Sequence, residues 1–156
     1  MILVLLGTQV HPFNRLVNEL IMLVEEQGLQ GEELVIQAGE TIVDDPRFVV
    51  FNFLPPEQLE AFVTEADLII THGGAGSIFS ALRKEKKVIA LARNDQLGEH
   101  VDGHQSELVQ QLYEEKYLIG EPTLRASFAL LDTFKFKTYQ SGQKQILEQM
   151  RVWLEL

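Results

Sequence analysis

An α/β fold, with a mostly parallel sheet and helices on both faces, is what this sequence predicts, on three observations. Short apolar runs alternate with longer amphipathic stretches along the chain, the pattern of successive βαβ units. The run Asp67-Leu-Ile-Ile-Thr71 is continuously apolar at its centre, as strands buried on both faces are. That run is delivered directly into glycines and the start of a helix, the turn at which open α/β sheets bind ligands.

The first strand is Ile2 to Leu6, and Gly7-Thr8-Gln9 turns the chain. Pro12 suits the first turn of a helix, whose apolar stripe is Leu16, Leu20, Met22, Leu23 and Val24, ending near Gly28. Leu34-Val-Ile-Gln37 is the second strand, closed by Ala38-Gly39, and Phe48-Val-Val-Phe51 is the third. After Pro55-Pro56 a helix over Glu57–Thr64 turns Leu59 and Phe62 inward. Asp67–Thr71 is the fourth strand, Gly73–Ser77 opens a helix through Leu82, and Lys87–Ala92 is the fifth strand. A polar loop runs from Arg93 to Gly103, a helix from His104 to Glu115, and a short edge strand over Tyr117-Leu-Ile119. Pro122–Leu131 reads as helical, Asp132–Ser141 has no clear period, and Gln143–Leu156 is an amphipathic helix carrying Ile146, Leu147, Met150, Trp153 and Leu154. No repeat or linker divides these elements, so one domain over residues 1–156 is expected.

With 156 residues, 13 basic and 23 acidic side chains and no cysteine, the chain carries a formal charge of −10, and disulfides and thiolate zinc sites are excluded. The acidic balance argues against nucleic acid or anionic lipid held by bulk charge, while leaving room for a local anion site. The opening run Met1–Leu6 stops at Gly7, far short of the ~20 apolar residues that span a bilayer. A cytoplasmic protein is therefore expected, with membrane contact only through a partner.

Chemistry concentrates where strands end. Amides at a helix N-terminus and the positive end of its dipole bind anions, and glycine lets an anion approach the backbone, so His72-Gly73-Gly74-Ala75-Gly76-Ser77 can cradle phosphate. The same glycines also suit a tight turn with no ligand. His72 can donate to a phosphate or orient the loop, and Ser77 can meet a phosphate or cap the helix. On the same rim, Glu99-His-Val-Asp-Gly-His-Gln-Ser-Glu107 offers many partners for sugar hydroxyls, or forms a solvated loop and helix cap. His100, Asp102 and His104 lack the spacing of a metal site, so no metal is expected. Gly7, Thr8 and Gln9, with Gln37 and Gly39, end the first two strands and can line the same cleft or simply turn the chain. The sequence holds neither a Gly-x-Ser-x-Gly elbow nor a carboxylate pair spaced for glycoside hydrolysis, which disfavours a hydrolase.

The segments Phe51-Asn-Phe-Leu-Pro-Pro56, Ala66-Asp-Leu-Ile-Ile-Thr-His-Gly-Gly-Ala-Gly-Ser-Ile78, Lys87-Val-Ile-Ala90 and Asp102-Gly-His-Gln-Ser-Glu107, in this order, resemble the C-terminal, donor-binding domain of GT-B glycosyltransferases of the family 28 type. More narrowly, they are similar to the small cytosolic subunit of two-component transferases. Those include the N-acetylglucosaminyltransferase that adds the second sugar to dolichol diphosphate, and bacterial capsule or exopolysaccharide enzymes divided in the same manner.

The resemblance implies a Rossmann-like fold equivalent to the C-terminal half of a GT-B enzyme, binding a UDP-sugar as donor substrate with no further cofactor or metal. It implies diphosphate at His72–Ser77, uracil and ribose near Phe53, Leu54 and Ser80, and the donor sugar near His104, Gln105 and Glu107. Ser80 departs from the family pattern, which often has a carboxylate there for ribose. The resemblance further implies inversion at the anomeric carbon and a membrane-associated partner subunit that presents an acceptor linked to lipid diphosphate. No general base is singled out; His11, His72 and His104 are the candidates. The competing readings are a non-catalytic nucleotide-sugar-binding module and a UDP-sugar epimerase-like enzyme.

Overall fold

In a computed structural model, residues 1–29, 33–99, 104–140, 150–152 and 154 are described. Five strands, β1 (Ile2–Leu5), β2 (Leu34–Gln37), β3 (Val49–Phe51), β4 (Leu68–His72) and β5 (Lys87–Leu91), form one sheet in the order β3-β2-β1-β4-β5. Every pairing is parallel. Right-handed crossover logic sends the chain outward from β1 in one direction and then back past it in the other, so the strand order reverses between β1 and β4. At that switch point the loops after β1 and β4 splay to opposite faces and leave a crevice.

The two-residue period of a strand divides the core. Leu3, Leu5, Ile69, Val88 and Ala90 face one layer, made by α2 (Pro56–Glu65), α3 (Ala75–Arg83) and α4 (His104–Glu114). Val4, Leu6, Ile70, Ile89 and Leu91 face the other, where α1 (Asn14–Gln27) and α5 (Leu124–Ala129) pack. All five residues of β4 are buried, which is why its apolar run is unbroken. The edge strand β3 is short, with Val49 and Phe51 exposed.

Several boundaries differ from those expected. Pro12 lies outside α1, whose N-cap is Phe13, and the Phe13 amide is held by the Thr41 hydroxyl at 3.0 Å. In α1 the buried stripe is Leu16, Val17, Leu20, Leu23 and Val24, whereas Met22 is turned outward. At about 100° per residue, Met22 points nearly opposite to Leu20, so apolarity alone misplaced it. Tyr117–Ile119 contributes a single parallel bridge, Ile119 to Ile89, with backbone hydrogen bonds of 2.9 and 3.0 Å, rather than a strand. The short α5 starts later than Pro122, with the Thr123 hydroxyl capping the Ala126 amide at 3.1 Å. Of the expected C-terminal helix, Met150–Val152 are helical and Leu154 is placed, while residues 141–149 and Trp153 lie outside the described residues. Among the described residues, no helix is long and apolar enough to cross a membrane.

Candidate functional site

A cleft of about 410 Å³ opens at the switch point, walled by Gly7–Gln9 after β1, His72–Ser77 after β4, and His104 and Gln105 at the start of α4, with Leu154 at its edge. The first turns of two helices, α3 and α4, thus converge on one space. Gly74 is the N-cap of α3, and no side chain caps this helix. Ser77 therefore does not serve as a cap, and Ala75, Gly76 and Ser77, whose amides the helix itself cannot pair, all line the cleft. Among the described residues the lining holds no carboxylate, lysine or arginine, so attraction for an anion here rests on backbone amides and helix dipoles.

His72 organises this wall. Its Nδ1 accepts the Gly74 N–H at 3.1 Å, which in the neutral ring places the proton on Nε2. A Cβ on Gly74 would stand 2.1 Å from the ring and one on Gly7, where φ is +86, would stand 3.0 Å from it, so the imidazole is slotted between two backbones at positions that favour glycine. Gly74 consequently spends its amide on His72, leaving the next three amides for a ligand. Gly73 is needed for another reason: a Cβ there would lie 2.7 Å from that of Gln105, which brings α4 against the loop.

The remaining expected residues distribute as follows. His104 and Gln105 line the cleft, with Gln105 buried and its Oε1 accepting the Arg93 amide at 3.4 Å. Glu107 is exposed and stands outside the lining, its carboxylate 3.5 Å from His104 Nδ1. Gln37 and Gly39 also stand outside it and brace it instead. Gln37 Oε1 accepts the Leu54 amide at 3.0 Å, and a Cβ on Gly39 would press 2.3 Å from the Gly7 carbonyl oxygen. Phe53 is exposed and Leu54 half-buried on the rim beyond β3, and Ser80 is half-buried one turn along α3. The backbone carbonyl of His11 is held by Arg93. His100 and Asp102 lie outside the described residues, and among those described no group of three His, Asp or Glu could hold a metal.

Sequence reasoning missed a buried ion network behind the cleft. Arg93 is 1% exposed and Glu99 is 7% exposed. Glu99 accepts two hydrogen bonds of 2.9 Å from Arg15 and one of 2.8 Å from the Asn94 amide. Burial pushes the Glu99 carboxyl up, but the Arg15 and Asn94 hydrogen bonds and the two arginine charges outweigh it and hold it below the usual range. The hydrogen bond to Glu99 raises Arg15, while burial lowers Arg93 against the opposing pull of Glu99. The only sequence trace of this network is an arginine placed directly after a buried strand, which reads the same as a solvated one.

A second cleft, of about 360 Å³, lies on the other side of α4 and is bordered by Arg15, Asn94, Gln110, Tyr113 and Glu121. There the Tyr113 hydroxyl donates to Glu121 at 2.5 Å. Burial and the adjacent carboxylate push this phenol up to about 12. A phenol raised in the folded state adds stability that is intact below the ordinary value of about 10 and is lost as pH rises through about 12, because the unfolded chain ionises first. Alkaline absorbance titration of the three tyrosines should show one transition near pH 12, and Glu121→Gln should move it toward about 10. A wild-type titration completed by about pH 11 would contradict the pairing.

The fold and cleft can be set against known proteins. The model of the glycosyltransferase family 28 C-terminal domain matches residues 1–151. The UDP-N-acetylglucosamine transferase subunit ALG13 of Mus musculus is 32% identical over 106 residues, which is 65% of this chain and 9% of that protein. The subunit of the same name from Debaryomyces hansenii is 36% identical over 85 residues, 54% of this chain and 37% of that protein. The chain thus spans well under half the length of these curated relatives. Among solved structures, the solution structure of ALG13 aligns with a TM-score of 0.62 at 21% identity, over 99% of this chain and 94% of that one. The glycosyltransferase of kitacinnamycin aligns with a TM-score of 0.58 at 20% identity, over 98% of this chain and 38% of that one. These two likenesses show the shared α/β fold. With the family model matched from the first strand through all five strands and the helices between them, this chain belongs to the glycosyltransferase family 28 C-terminal domain family.

Proposed function

We propose that this chain is the donor-binding subunit of an inverting glycosyltransferase, taking a UDP-sugar and transferring a hexose-type sugar to a lipid-linked acceptor that a membrane-associated partner presents. The observation that carries this reading is the uncapped first turn of α3 opening into the switch-point cleft. The diphosphate is assigned to the amides of Ala75, Gly76 and Ser77 and to His72, the sugar to Gln105 and His104, and the uracil to the rim at Phe53 and Leu54. Because Gln37 takes the Leu54 amide, base contacts on that segment fall to its other backbone groups. The named relatives are subunits of a UDP-N-acetylglucosamine transferase, which makes that sugar nucleotide the first donor to test.

In the reaction the acceptor hydroxyl attacks the anomeric carbon, the bond to the diphosphate oxygen breaks, and UDP leaves on the opposite face. Charge grows on the departing diphosphate, and fixed amides aimed at it stabilise the transition state without reorganisation. In acyl-transfer enzymes a well-placed donor of this kind is worth ~3–4 kcal/mol. His104, which lines the cleft, is the candidate to take the acceptor's proton.

The test is calorimetric titration of the purified chain with UDP, UDP-N-acetylglucosamine, UDP-glucose, GDP and ATP at millimolar concentrations. Selective binding of the UDP compounds is expected. Equal binding of GDP or ATP, or none by any of the five, counts against the reading. Binding without transfer in the presence of any membrane partner favours a non-catalytic nucleotide-sugar module.

A further inference from the structure

We propose that Arg93 is a positioning residue of the donor site, setting the Gly7–Gln9 loop and Gln105 relative to each other so that together they meet the sugar of the nucleotide. The inference rests on the donor-binding reading above and concerns one half of that site. Arg93 lies two residues beyond the end of β5, and its side chain is the largest fully buried one among the described residues. Nη2 donates to the Leu6 carbonyl at 2.5 Å and Nη1 to the His11 carbonyl at 2.5 Å, so the group grips both ends of the loop that carries Gly7, Thr8 and Gln9. Nη1 also holds the Glu99 carbonyl at 2.9 Å, and the Phe13 ring lies 4.9 Å from the guanidinium carbon.

The backbone of the same residue reaches the opposite wall. Its N–H occupies Gln105 Oε1, which turns the carboxamide so that its two N–H donors remain for hydroxyl oxygens. One residue therefore fixes a loop after β1 and a side chain on α4, two elements that no strand pairing joins. Arginine suits this place because its planar fork presents several donors at fixed angles, which a lysine ammonium on a flexible stem cannot reproduce. The acceptors that Arg93 holds all lie outside Gly73–Ser77, so it reaches that wall only indirectly, through Gly7 against the His72 ring and Gln105 against Gly73.

That division supplies a readout which a merely structural role would not move. Arg93→Lys should lower UDP affinity by a smaller factor than it lowers the extra affinity conferred by the sugar of UDP-N-acetylglucosamine or UDP-glucose, which falls by about tenfold, the scale of one net hydrogen bond. Glu99→Gln keeps the carbonyl that Arg93 holds but removes the charge opposite both arginines, and should shift the same ratio by a smaller factor. If Arg93→Lys does not fold, Glu99→Gln decides alone. A folded variant that loses UDP and UDP-sugar equally, or an unchanged ratio in both variants, overturns the positioning role while leaving the donor-binding reading in place. A wild-type chain that binds UDP and the UDP-sugars equally also overturns it, because no sugar subsite would then exist to position. Failure of the wild type to bind UDP at all removes the donor-binding reading itself, and the positioning role with it.

Discussion

Gly76→Glu should fold as the wild type does and lose at least about a hundredfold in UDP affinity, equivalent to ~2.7 kcal/mol. The two halves of that expectation come from different facts. A Cβ at Gly76 meets nothing within 4 Å, so the side chain enters open space and disturbs no packing. Yet Gly76 sits in the first turn of α3 and lines the cleft, so a carboxylate there occupies the ground in which an anion would be held. It would also be attracted by the same dipole that attracts the ligand, which stabilises the helix and blocks the site at once. Thermal denaturation and calorimetry on one preparation test both halves. An unaltered melting temperature with unaltered UDP affinity would remove the diphosphate from this loop. Gly74→Ala is the contrasting variant, since its Cβ would strike the His72 ring and damage the loop rather than merely fill it.

The second large effect is on stability. Gly39→Ala should cost about 3 kcal/mol and lower the melting temperature by about 10 °C. Gly39 has φ +58 and stands behind Gly7, where an added methyl would lie 2.3 Å from a backbone oxygen that cannot rotate away. Relief requires the β1 and β2 loops to part, which also displaces Gly7 from its contact with His72. Gly28→Ala is the matched control: φ is +65 there, but nothing lies within 4 Å of the added carbon. It should show only the intrinsic cost of the left-handed conformation, about 1 kcal/mol. Equal losses from the two substitutions would mean that the close approach of Gly39 to Gly7 does not hold in solution.

The strands and their order of use were legible because parallel strands buried on both faces write themselves as unbroken apolar runs, as in Leu68–Ile70 and Val88–Leu91. The glycine-lined wall of the cleft was legible for a related reason, since glycines massed between a strand and a helix are costly unless the backbone must come close to something. Met22 was misread because apolarity does not report direction, and only the helical angle turns it away from Leu16 and Leu20. The bracing role of Gln37 could not be read, because its partner Leu54 is 17 residues away and glutamine at a strand end has many uses. Arg93 was least legible of all: its acceptors at Leu6 and His11 lie 87 and 82 residues distant. A buried arginine and a solvated one are the same letter, and the burial that separates them is a property of the assembled loops.

The lack of formal charge along the described cleft lining bears on how an anionic ligand would reach it. Dipoles act over a few ångströms, whereas the −10 charge of the chain extends a repulsive potential outward to about the Debye length, ~10 Å at 0.1 M salt. A dianion bound for the cleft would thus be pushed back at long range and held only on arrival. Added salt weakens the first force and barely touches the second, so encounter should quicken with ionic strength while dissociation stays constant. That is the reverse of the salt response of a phosphate site built from lysines and arginines.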